Sequence, residues 1–114
     1  MTSLNPYDQA YALARSITES EVYNKYVEAK KVLDSNPDTK ERVLKLREQQ
    51  MEINKAQALG ENPSGDKVRE VTLEFARLNR EEIAEQFFSA EASFVRMFAD
   101  IQEIIQKEIE KDLK

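Results

Sequence analysis

Proline and glycine are so scarce in this sequence, and so placed, that they divide it almost without ambiguity. Pro6, Pro37 and Pro63 are the only prolines, Gly60 and Gly65 the only glycines, and Asp66 to Lys114 contains neither. Proline removes a backbone donor and glycine loosens the backbone, so a stretch free of both, rich in Glu, Lys, Gln, Ala and Leu, is free to remain helical. As one uninterrupted helix, Asp66–Lys114 would reach about 70 Å at 1.5 Å per residue.

The punctuation predicts four to five helices, near 6–18, 20–34, 37–59, 66–78 and 80–112. Asn5-Pro6 and Asn36-Pro37 both place a side-chain acceptor before a proline that has no N–H to leave unsatisfied. Thr18-Glu19-Ser20-Glu21 fits a capping box opening the second helix. Gly60 sits where a left-handed C-terminal cap is expected. Apolar residues recur at three- to four-residue spacing: Tyr7, Ala10, Tyr11, Ala14 and Ile17, then Val22, Tyr26, Ala29 and Leu33. In the third helix the stripe reads Leu44, Arg47, Met51, Asn54, Ala58, with Val43, Leu46 and Ile53 on an adjoining edge. In the last segment Val68, Val71, Phe75 and Leu78 form one run, and Ile83, Phe87, Ala90, Phe94, Phe98, Ile101 and Ile105 another. The five-residue step from Leu78 to Ile83 breaks the phase, which makes Asn79-Arg80 a kink or break. No stretch alternates as a strand does.

The expected fold is therefore all-α: one domain over residues 1–114, an elongated helical bundle with a long C-terminal helix. Taking Phe87 as the origin and 100° per residue, Phe94, Phe98, Ile101 and Ile105 fall within about 40° of it. Phe88 and Val95 lie about 80–100° to one side and Met97 and Ile104 as far to the other, giving an apolar arc of about 200° where a one-sided surface helix needs about 100°. A short chain has little mass to cover such an arc, so these nine residues are the candidate packing and interface set, and a dimer or larger homo-oligomer is expected. Glu91 falls inside the arc and Arg47 inside the third helix's stripe. A carboxylate there needs a cation or escape to water, and Arg47–Glu91 is the candidate buried pair.

Composition closes several routes to chemistry. There is no Cys, His or Trp, so thiolate metal sites, disulfides and the Glu-x-x-His motifs of di-metal bundles cannot be built. Walker loops, dinucleotide fingerprints and nucleophilic triads are absent, and pairs such as Glu103 and Lys107 have the spacing of solvated helix charges. No catalytic, cofactor or metal residues are assigned, and an enzyme is not expected. The net charge of −5 opposes direct phosphate binding, and no run approaches the roughly 18 apolar residues of a membrane span. Met1–Tyr7 lacks a basic-then-apolar signal pattern. The expectation is a cytoplasmic protein that contacts neither nucleic acid nor membrane directly.

Pro6-Tyr7-Asp8-Gln9-Ala10-Tyr11-Ala12-Leu13-Ala14, Ser20-Glu21-Val22-Tyr23, Arg47, Gln50, Gly60, and above all Asn79 to Ile105 with Ala90-Glu91, Phe94, Asp100-Ile101 and Ile104-Ile105, resemble the YlbF/YmcA family of small helical bacterial proteins, specifically its cysteine-free, YheA-like branch. The resemblance covers nearly the whole chain. It implies an oligomerising helical protein that acts through partners, in some members through complexes linked to RNase Y specificity and thereby to competence, biofilm formation and sporulation. Some of those complexes carry Cys-ligated iron–sulfur clusters, which this cysteine-free chain cannot match. The expected function is that of a non-enzymatic regulatory protein working as a homo-oligomer, with other helical regulatory proteins as further partners. The alternative is a coiled-coil-like chaperone or holdase.

Overall fold

The computed structural model describes residues 5–113. Five helices make up the described chain: α1 Pro6–Thr18, α2 Glu21–Asp34, α3 Pro37–Ala58, α4 Gly65–Leu78 and α5 Glu82–Glu110. No strand occurs among the described residues.

Local chemistry sets each boundary. Asn5 caps α1, its Oδ1 accepting from the backbone N–H of Tyr7 at 2.8 Å and of Asp8 at 3.4 Å. Thr18 does not open a capping box as expected. Its hydroxyl donates back to the Arg15 carbonyl, and Ser20 caps α2 instead, accepting from the Tyr23 N–H at 3.2 Å. Asn36 likewise departs from the pattern of Asn5: its side-chain amide donates to the Val32 carbonyl at 2.7 Å, so it closes α2 rather than capping α3. Gly60 takes the left-handed conformation, φ 79°. The Glu61 N–H reaches the Ala56 carbonyl and the Gly60 N–H the Gln57 carbonyl, the paired bonds of a Schellman ending. The phase shift in the last segment corresponds to a turn at Asn79–Glu81. There Arg80 and Glu81 donate to the carbonyls of Arg77 and Leu78, three residues back, before α5 starts at Glu82.

Contacts divide the chain into two compact units. One comprises the residues up to Glu28 together with those from Ser89 onward; the other is Ala29–Phe88. In the Ala29–Phe88 unit, α3 and α4 pack on each other. The buried side chains are Leu33, Val43, Leu46, Ile53, Val71, Leu78, Ala84, Phe87 and Phe88. Leu78 is 0% exposed, and removing such a side chain from water is worth about 2–3 kcal/mol. Of the two apolar rows on α3, Leu44 and Met51 of the stripe are exposed, and the adjoining edge of Val43, Leu46 and Ile53 supplies the core. Leu44, Met51 and Ala58 form the more regular row, but the core follows the row whose members are all branched apolar residues.

Candidate interaction face

Charged residues pin the Ala29–Phe88 unit at its rim. Arg42 of α3 donates through Nη2 to Glu74 of α4 at 2.9 Å and through Nη1 to Glu81 of the turn at 2.6 Å. These two bonds raise the guanidinium's pKa further above its ordinary value. Lys67 meets Glu52 at 2.8 Å, tying the start of α4 to α3. Sequence reasoning missed the Arg42 clamp: its partners lie 32 and 39 residues away, and no helical spacing relates them. The only signal was that Glu81 falls at the phase break.

Phe87 and Phe88, two of the nine candidate packing residues, belong to this unit's own core. The Phe88 ring lies 5.2 Å from that of Phe75 and 6.1 Å from that of Phe87. Arg47 is half-buried and holds its guanidinium 5.4 Å above the Phe88 ring, where the ring's negative face attracts it.

The other seven candidates lie in the other unit. Phe94 stacks on Tyr26 at 5.2 Å and meets Tyr23 at 5.8 Å, and Phe98 continues the ladder 6.2 Å from Phe94. Tyr26, on the apolar stripe of the second helix, and the neighbouring Tyr23 thus pack, whereas Tyr7 and Tyr11 of α1 stand exposed. Met97 and Ile101 are half-buried, and Val95, Phe98, Ile104 and Ile105 are exposed. Phe98 keeps 44% and Ile104 63% of its surface open. Among the described residues, this unit buries no side chain at all. Glu91 is half-buried here; among the described residues no charged or polar side chain is buried.

No arrangement of His, Cys, Asp or Glu among the described residues is grouped to hold a metal ion. The open groove along α5 is lined by Ala99, Gln102, Glu103, Gln106, Lys107 and Glu110. These all come from one helix, so no second element converges on it as a ligand pocket requires. Glu103 and Lys107 there form an exposed ion pair at 2.7 Å, which holds the Glu103 carboxyl below its ordinary pKa. No helix among the described residues is long and apolar enough to cross a membrane.

The described residues of this all-α protein thus present an apolar helix face along the C-terminal half of α5. The chain belongs to the YlbF/YmcA family, described as control of competence regulator ComK, whose model matches residues 7–110. It is similar to UPF0342 proteins of several bacteria. One from Halothermothrix orenii is 30% identical over 87% of this chain and 84% of its own length. One from Caldicellulosiruptor bescii is 26% identical over 93% and 89%, and one from Bacillus licheniformis 25% identical over 96% and 93%. No solved structure matches the chain.

Proposed function

We propose that this protein is a non-enzymatic regulatory factor that works as a homo-oligomer, assembled through the C-terminal half of α5, and engages other helical proteins through its surfaces. One observation carries the reading. The unit containing α1 and most of α5 holds Phe94, Met97, Phe98, Ile101, Ile104 and Ile105, yet none of its described side chains is buried. Helices gain most of their stability by burying an apolar face, and a contiguous exposed apolar face marks a contact surface. The description of the family as competence regulators supports a role in control rather than catalysis. Within that setting the protein is an accessory factor related to the RNase Y-linked regulators, one that does without a cluster because it has no cysteine.

Light scattering coupled to size exclusion tests the assembly. At tens of micromolar the protein should run at no less than twice its 13.2 kDa chain mass. A monomer at that concentration contradicts the reading. The exposed side chains of Val95, Ile104 and Ile109 also favour a second reading, a holdase that lends this face to unfolded clients. Suppression of a client's aggregation at stoichiometric dose would distinguish it.

A further inference from the structure

Beyond the α5 face, α3 carries a second uncovered row, within the Ala29–Phe88 unit. Leu44, Met51 and Ala58 recur at seven-residue spacing, and Leu44 is 58% and Met51 70% exposed. At 100° per residue this row lies about 130° around the helix from the buried Val43, Leu46 and Ile53. It is therefore a separate face and not the margin of the core.

The residues beside the row are arranged symmetrically about Met51. Leu44 lies seven residues before it and Ala58 seven after. On one flank Glu48 lies three before and Lys55 four after; on the other Arg47 lies four before and Asn54 three after. Glu48 and Lys55 are exposed, and neither makes an ion pair with any described residue of its own chain. A contact between identical faces about a two-fold axis requires that each residue meet the complement of its own mirror position. An antiparallel second copy of α3 crossing at Met51 does this. Leu44 meets Ala58 of the copy, Met51 meets Met51, and Glu48 meets Lys55 twice over. A parallel copy leaves Lys55 opposite Asn54 and turns Glu48 toward Arg47, whose guanidinium is already held over Phe88.

We infer that the exposed face of α3 is a second self-association surface, taking an antiparallel copy of the same helix, with Glu48 and Lys55 as its reciprocal ion pairs. A chain with two self-complementary faces assembles beyond a dimer, so this contact and the α5 contact are separable.

The absence of cysteine makes disulfide trapping in the full-length protein a clean test. The Met51→Cys protein should cross-link to itself under mild oxidation at tens of micromolar. An equimolar mixture of Leu44→Cys and Ala58→Cys proteins should give the mixed 44–58 disulfide in excess over 44–44. Adding Glu48→Lys to Met51→Cys places two like-charged pairs across the contact and should slow cross-linking by about tenfold. Adding Lys55→Glu as well should restore the rate to within about twofold of the Met51→Cys protein, because the pairs re-form with their signs exchanged. All these positions are exposed or lie on the exposed row, so the variants should fold, and circular dichroism checks that they do. A Met51→Cys protein that stays reduced, a predominance of 44–44 disulfide, or a double charge exchange no faster than the single one would each overturn the inference. None of these outcomes depends on the α5 face, which charged substitutions at Phe98 and Ile105 disrupt separately.

Discussion

Residues 29–88 bury nine apolar side chains against one another, whereas the described residues of the other unit bury none, although that unit holds much of the chain's aromatic and aliphatic surface. Amount of apolar residue does not account for the difference. In the Ala29–Phe88 unit, α3 and α4 run antiparallel, as the Arg42–Glu74 and Lys67–Glu52 pairs require, across a short loop that opens at Gly60, and their branched residues meet. In the other unit, Tyr23 and Tyr26 pack against Phe94, and the stripe beyond it, from Phe98 to Ile105, stays half-buried or exposed. A helix face can be as apolar as any core and still lack a core, if no other element supplies the facing layer. This is the physical content of the proposed assembly: one unit is finished by its own chain and the other by a copy.

The largest expected effect falls on the finished unit. Leu78→Ala opens a cavity in a fully buried site and should cost about 3 kcal/mol in chemical denaturation. Ile104→Ala, at an exposed site, should cost under about 0.5 kcal/mol in a dilute monomer. Equal costs at the two positions would erase the distinction between the units. Next in size is charge placed on the stripe. Phe98→Arg together with Ile105→Arg should lower the mass by light scattering to no more than the dimer that the α3 contact alone would hold, while leaving the Ala29–Phe88 core folded, seen as unchanged dispersion of the Leu46 and Leu78 methyl signals. Loss of those signals with the assembly would show that the units do not stand apart.

Smallest is a pH effect confined to the Ala29–Phe88 unit. Lys30 and Lys40 hold the Asp34 carboxyl below its ordinary value through hydrogen bonds. A depressed folded-state pKa stabilises above the unfolded value, and that contribution is lost as pH falls through the folded value. Carbon-detected titration should therefore show the Asp34 midpoint rising when both lysines are replaced by methionine. An unmoved midpoint would refute the role of the pair.

Much of this fold is written in local chemistry. The Asn5-Pro6 start, the Gly60 ending and the break after Leu78 each depend on residues within one or two turns, and each is readable. Thr18 and Asn36 defeat the same local reading, because each can bond either forward as a cap or back to a carbonyl, and the sequence does not rank the two. The α3 core row is ambiguous by period, because Leu44, Met51 and Ala58 and the row of Val43, Leu46 and Ile53 both have helical spacing; the branched apolar membership of the second row is what sets it apart. The Arg42 clamp on Glu74 and Glu81 is a tertiary coincidence that no periodicity encodes. The nine residues of the apolar arc share one side of a helix by their spacing alone. Their division into Phe87 and Phe88, which their own chain buries, and seven that remain half-buried or exposed is not legible in that spacing, since it depends on where the facing helices stop.

Amide hydrogen exchange followed across a dilution series reads whether a second copy covers α5. If a second copy completes the layer over α5, the amides from Phe94 to Ile109 should lose protection as the protein is diluted from tens of micromolar to well below one micromolar, in step with its falling mass. Those of Val43 to Ile53 and Val71 to Leu78 should hold theirs. Protection from Phe94 to Ile109 that is strong and independent of concentration, in a protein of single-chain mass throughout, would contradict the account.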